Sequence, residues 1–390
     1  MVDWKTRPCP LVPADLGLDE PSLSGSIKTR ASDFRVTEIP AYEYSGQGDF
    51  LYLKIRRKNL NTKDVCQVLS RAFSISEPDI GYAGLKDKHA ECTQTFSFPL
   101  SGLREIKSAS NEDLKSYAEE KFEGLSHLEE PLTLLSIDRH ENSLRRGHLK
   151  GNHFSILIRE LKLRNTLSEI ARKHPDLAER SDSEIRNKLL ESAASRLVTQ
   201  GMVNLFGSQR FGKEGSTLEQ GLSFMDGKKA RKWLLDLGTS AVQSYVFNHY
   251  LRIRAEKNCL FDLMDGDLAT RLESGGIFKV PESSAEAHRL KDGEISYTGP
   301  IFGRKMRSPE EPSLALERDA LNYLGRTEED FKRMKVPGAR RAGLIFLKDL
   351  TVEWEDSNSV WLHFTLPAGS YATVAAGHLI HLEEGSERDL

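Results

Sequence analysis

The spacing of apolar positions divides this 390-residue chain into a strand-rich beginning, a helical middle and a strand-rich end. Residues 1–24 hold four prolines and no clear period, which predicts a segment wrapped over the surface. From Gly25 polar and apolar positions alternate. They alternate again from Phe50, with Leu51, Leu53 and Ile55 on one face and Phe50, Tyr52 and Lys54 on the other. Period two is the mark of a strand. Val65, Leu69 and Phe73 then recur at helical spacing, with Thr62 placed to act as N-cap. A short apolar run, a Gly-Leu-Lys-Asp-Lys turn at 84–88 and an alternating strand follow. Further on, the pattern predicts a strand at 153–161 and helices from Leu167 to Gln200, broken at Pro175. A glycine- and aromatic-rich loop covers 201–217, and most of 217–270 is helical. Residues 271–313 carry turns and short strands, including a turn at Gly299-Pro300, and 314–335 is helical again. Two strands, a Pro-Ala-Gly-Ser turn and a final helix close the pattern. No repeat or low-complexity linker occurs, so the order of elements predicts an α+β fold interrupted by an insertion.

Length refines this to two or three domains. Charge adds more. The net charge is −3, from 55 lysines and arginines against 58 acids, which excludes a polycationic coat for nucleic acid. That sum averages unlike stretches. Residues 105–130 carry eight acids against three lysines and read as a solvated helical insertion. Residues 139–164 carry seven bases against two acids, enough for a local basic patch. The four cysteines, Cys9, Cys66, Cys92 and Cys259, form no C-x-x-C pair, which suits a reducing compartment. The N-terminal residues have prolines and acids where a signal peptide needs an apolar core. No apolar run approaches the roughly 20 residues of a membrane span. A cytoplasmic protein is the expectation.

Several chemistries lack their motifs: there is no Walker A loop, G-x-G-x-x-G, H-E-x-x-H or G-x-S-x-G. Only His378 and His381 stand three apart near the end, a weak metal signal. One segment does carry chemistry. Asp87 sits between Lys86 and Lys88 on a glycine-opened turn after an apolar run. Nearby cations favour an ionised carboxylate, which suits a nucleophile or electrostatic catalyst. The residues alone leave open an ordinary charged surface turn. Three more segments are unusual: Gly151-Asn152-His153-Phe154, Asn204 to Gly212 with two Phe-Gly steps around Gln209 and Arg210, and Gly369-Ser370-Tyr371-Ala372-Thr373. Amides can read a base edge, aromatics can stack on it and guanidinium groups can hold phosphates. Each segment taken singly is also compatible with a packed turn.

Taken in order, these segments resemble the TruD family of tRNA pseudouridine synthases. Asp33-Phe34-Arg35-Val36-Thr37-Glu38 is similar to that family's D-F-x-V-x-E motif. Residues 83–94 resemble its A-G-x-K-D-[KR]-x-A-x-T-x-Q signature, and Arg139-His140 with 149–154 its R-H…L-K-G-N-x-F. Residues 203–212 resemble P-N-Y-F-G-x-Q-R-F-G and 366–373 L-P-x-G-[SC]-[FY]-A-T. Val203 departs from the family's usual proline, and 103–130 and 163–198 are longer than in compact bacterial members.

The resemblance implies a pseudouridine-synthase catalytic core with a mixed or antiparallel sheet. Residues 1–200 and 341–390 would form it, with a TruD-type α+β insertion domain at 201–340. It implies isomerisation of a specific uridine of tRNA, uridine-13, without cofactor or metal, by a monomer that binds tRNA and no nucleotide cofactor or membrane. Another tRNA position, an mRNA target or a non-catalytic tRNA-folding role are the alternatives. By the same resemblance Asp87 is the catalytic carboxylate and Lys28 its ion-pair partner. Phe34, Asn152, Phe154 and Tyr371 contact the substrate. Arg139, Arg145, Arg146, Lys150 and Arg210 are candidates for the RNA backbone, each equally open to a structural ion pair. Lys86 and Lys88 are candidates for structural neighbours of Asp87.

Overall fold

A computed structural model describes residues 9–103, 110–125 and 129–384. The chain divides into two compact units. Among the described residues, one comprises 9–23, 163–348 and 370–381; the other comprises those of 24–162, 349–369 and 382–384.

The second unit is built on most of a ten-stranded mixed sheet. Its main path runs Thr351–Asp356, Ser359–Pro367, Leu149–Leu163, Phe34–Pro40, Glu91–Pro99, Phe50–Lys58 and Thr133–His140. Phe34–Pro40 and Glu91–Pro99 are parallel, and the other neighbours on this path are antiparallel. The alternation at 50–58 is realised as read: Leu51, Leu53 and Ile55 are fully buried. They pack with Val65, Leu69 and Phe73 of the helix Thr62–Phe73. Asn61 caps that helix, not Thr62: the Asn61 side-chain Oδ1 accepts the N–H groups of Lys63 and Asp64. The Thr62 hydroxyl is turned inward instead, as described below.

The acidic stretch also differs from expectation. Its helix, Asn111–Glu123, is not merely solvated. Leu114, Tyr117, Ala118 and Phe122 recur at helical spacing and are buried against the same core. Tyr117 and Phe122 meet Phe73 edge-on at 5.8 and 6.3 Å between ring centres. Acid counts hid this face, because charges on three sides of a helix do not exclude an apolar fourth. Glu105 and Lys107 of this stretch lie outside the described residues. A groove of about 890 Å³ runs between this helix and the strand Thr133–His140. Glu112, Glu119, Glu123 and Asp138 line it, and Arg139 is the one candidate residue on its wall.

The other unit centres on the long helix Lys232–Glu256, whose residues 241–251 are all buried. It packs on the helix Ser216–Met225 and on a four-stranded sheet. Gly299 and Pro300 lie within the strand Ile295–Ile301, not in a turn. A Cβ at residue 299 would come within 2.7 Å of Phe247 and Tyr250, so glycine there admits the helix. The proline is tolerated where it pairs with Arg340 of the short strand Ala339–Ala342. The helix Ser283–Lys291 was hidden among the turns expected for 271–313. No described helix is long and apolar enough to cross a membrane. All four cysteines are free, and burial pushes their thiols above the usual range, Cys66 to about 11.

Candidate active site

Asp87 lies in an irregular loop between the short strand Gly81–Tyr82 and the strand Glu91–Pro99, and its side chain is 58% exposed. The Lys28 ammonium stands 3.7 Å from its carboxylate. Lys28 holds a left-handed backbone, φ 59°, just after the strand Leu23–Ile27, and its Nζ lies 4.6 Å from the centre of the Phe34 ring. Phe34 meets Phe154 edge-on at 6.1 Å. Thus Lys28, Phe34, Asp87 and Phe154 form one connected group. Both phenylalanines are buried, so they wall the site from below.

Asn152 joins this group through the sheet. It stands opposite Glu38 in the strand Phe34–Pro40 and opposite Leu366 on its other side. The Asn152 Oδ1 is buried without a hydrogen-bond partner. Native structures rarely leave such an acceptor unmet, and each one asks for a reason. Gly151 before it is required by packing, since a Cβ there would meet the Leu366 carbonyl at 2.4 Å.

The Asp87 loop is held from behind by residues that carry no exposed charge. Glu38 and Lys86 form a buried pair at 2.8 Å. The Lys86 N–H donates to the Thr62 hydroxyl at 2.9 Å, and that hydroxyl donates to the Gln94 Oε1 at 3.1 Å. Gln94 Nε2 in turn donates to the Gly84 carbonyl at 2.7 Å. The Arg57 guanidinium donates to the carbonyls of Lys86 and Asp87 at 3.4 Å each. Lys86 is therefore structural, whereas Lys88 is exposed. The role of Arg57 was missed by sequence reasoning. The signal was present, since period two places Arg57 on the same face as Leu51, Leu53 and Ile55, and it is 1% exposed.

The basic candidates fare differently. Arg139 donates through Nε and a terminal nitrogen to the Gly48 carbonyl, at 2.9 and 2.7 Å. Arg146 reaches the Tyr82 hydroxyl at 3.1 Å. Arg145 and Lys150 are exposed. Of the other bases in 139–164, Arg159 grips Asp33 through two bonds of 2.8 Å, while Lys162 and Arg164 pair with Glu383 and Glu20. Much of that basic stretch is thus spent on internal pairing.

Tyr371 and Arg210 belong to the other unit. Tyr371 is the N-cap residue of the helix Ala372–Gly377, and its ring meets Phe206 edge-on at 6.0 Å. Arg210 bonds to Ser244 at 3.1 Å and to Ser240, with its guanidinium 5.7 Å from the Phe206 ring centre. Arg341 lies over the same ring at 3.9 Å and donates to Asn204 Oδ1 at 2.6 Å. Burial, with the Arg210 charge beside it, lowers Arg341 to about 9. His378 and His381 share no helix: His378 follows Ala372–Gly377 and His381 opens a strand. The His378 Nε2 accepts the Val203 N–H at 3.2 Å, and burial lowers this imidazole to about 4. No cluster of metal-binding side chains occurs among the described residues.

The profile of the family described as tRNA pseudouridine synthase D (TruD) matches residues 16–230 and 228–377. The chain belongs to the TruD family. A tRNA pseudouridine synthase D of Anaeromyxobacter sp. strain Fw109-5 is 33% identical over 381 residues, covering 95% of each chain. One of Thermus thermophilus is 34% identical over 370 residues, covering 94% of this chain and 91% of that one. The crystal structure of a TruD chain from Methanosarcina mazei superposes with a TM-score of 0.66 at 21% identity, covering 95% of this chain and 98% of that one. The fold is therefore that of TruD proteins, a pseudouridine-synthase core with an insertion.

Proposed function

We propose that this TruD-family chain isomerises uridine-13 of tRNA to pseudouridine with Asp87 as its catalytic carboxylate. The observation that carries this reading is the Asp87 loop. An exposed carboxylate sits 3.7 Å from an ammonium, on a backbone tied down at Gly84, Lys86 and Asp87. The N1–C1′ bond must break, the freed uracil must turn, and C5 must bond to C1′ and lose its proton. Attack at C1′ and removal of a sugar proton both need the carboxylate ionised. In the free protein the exposed pair with Lys28 contributes only about 0.2–1 kcal/mol. Once bound RNA displaces water, the same charges interact more strongly.

The unmet Asn152 Oδ1 supports a second role, accepting a hydrogen bond from the uracil or ribose. Phe34 and Phe154 wall the uracil ring beside Asp87, and a stacking role for Tyr371 rests on family resemblance alone. Residues 201–340 are read as the TruD insertion domain. The target uridine lies in folded RNA and has to be flipped out, at a cost of a few kcal/mol. Arg145 and Lys150, exposed in the protein, are the first candidates to supply phosphate contacts; Arg139, Arg146 and Arg210 would first have to loosen internal bonds.

The test is to incubate an unmodified tRNA transcript with purified protein and map pseudouridine by carbodiimide probing. The expected result is one new site, at position 13, and none with Asp87→Asn, whose tRNA affinity stays within a few-fold. An inactive wild-type protein, or near-normal turnover by Asp87→Asn, sinks the reading.

A further inference from the structure

Asp87 offers little by which its own side chain could be held. It is more than half exposed, its ion pair is 3.7 Å long, and its loop has no helix or strand hydrogen bonds of its own. The position of the carboxylate must therefore be set through the backbone. Two torsions matter, φ and ψ of Asp87, and they are defined by the peptide planes on either side of it. The Lys86 carbonyl belongs to the first plane and the Asp87 carbonyl to the second. Both accept from the two terminal nitrogens of one guanidinium, that of Arg57.

Arg57 is unusual in its own right. It is 1% exposed, and its Nε has no hydrogen-bond partner. Burial lowers its affinity for the proton, with Cys92, Asp64 and Asp87 acting in the opposite direction. Its stem stands opposite Cys92 of the neighbouring strand, one residue beyond Arg56, where pairing with the strand Thr133–His140 ends. A buried guanidinium is costly to keep unless it has work that a smaller or apolar side chain cannot do.

We infer that Arg57 is a positioning residue for the isomerisation: its two-pronged guanidinium clamps the peptides flanking Asp87 and so fixes where the carboxylate points. This rests on the reading of Asp87 as the catalytic group. The fork is the essential property. A lysine keeps the charge but is a single point donor on a flexible stem, so it cannot hold two diverging carbonyls. Misplacement of a reacting group by about 1 Å can lower a rate roughly 100-fold.

The experiment compares wild type, Arg57→Lys and Arg57→Gln on the same tRNA transcript, with circular dichroism to check folding and hydrogen exchange to follow the peptide covering 84–91. The expected outcome is a native spectrum, kcat lowered at least tenfold in both variants, KM for tRNA within twofold of wild type, and faster exchange in the loop. Full-rate turnover by Arg57→Lys overturns the inference, because charge rather than the fork would then suffice. So does a parallel loss of kcat and tRNA affinity, or loss of the native spectrum in both variants, since Arg57 would then serve the fold at large. Inactivity of the wild type is a different result: it removes the assignment of Asp87 and the function proposed above.

Discussion

On the function proposed above, Lys28 trades backbone stability for chemistry. Its left-handed backbone, φ 59°, is one that side chains with a Cβ adopt at a cost of about 1–3 kcal/mol. Glycine would remove that cost, but it would also remove the ammonium beside Asp87 and the contact with Phe34. Lys28→Gly is therefore expected to unfold at a free energy within about 1 kcal/mol of wild type, while kcat falls at least tenfold. Urea melts alongside single-turnover assays check this; a variant that is both normally active and equally stable would remove the ion-pair role. At this scale the sequence singled out Lys86, Asp87 and Asn152 by their motifs, and the structure places Lys86 in a buried pair, Asp87 beside Lys28 and the Asn152 Oδ1 without a partner. It misled on Arg57 and Thr62. Arg57 follows another arginine in a polar-looking Arg-Arg-Lys run, which masks its place on the buried face of the strand. Thr62 looks like a helix cap, but its hydroxyl is claimed by Gln94 and Lys86.

Elements were most legible where their period was strong. The strand at 50–58 and the helix at 62–73 follow from alternation and from three apolar residues at helical spacing. The Gly299-Pro300 step misled because both residues usually mark turns, whereas here the glycine clears space for a helix. The closing helix Ala372–Gly377 carries a testable consequence through His378. Its imidazole is neutral in the folded protein, accepts the Val203 N–H and takes up a proton only near pH 4. Unfolded histidine titrates near 6.5. Between those values the unfolded chain binds the extra proton, so this contribution is complete above pH 6.5 and is lost as pH falls toward 4. The loss should be on the order of 2 kcal/mol, allowing for partial solvent access. Chemical melts from pH 7 to 4.5 should show a shallower decline for His378→Gln, whose amide oxygen can still accept the N–H. Parallel curves for the two proteins would show that His378 does not titrate as stated.

At the scale of the whole molecule, a net charge of −3 conceals how the charges are used. The bases of 139–164 are largely committed to Gly48, Asp33, Glu383 and Glu20, which no count of charges along the chain could disclose. The acids of 111–123 keep an apolar face in the core and turn the rest outward. That outward face borders the strand Thr133–His140, the end of the sheet's main path, with no further strand beyond it among the described residues. An uncovered strand end is a template on which a second copy can add its own strand, and like charges are one way to discourage it. Glu112, Glu123 and Asp138 line that flank, so two copies meeting edge to edge would bring carboxylates against carboxylates. Carboxylates on that flank would thus oppose edge-to-edge association. Replacing Glu112 and Glu123 with glutamine should make the chain sediment at a higher mass than the unaltered protein at the same concentration, and unaltered protein should drift the same way as added salt screens the repulsion.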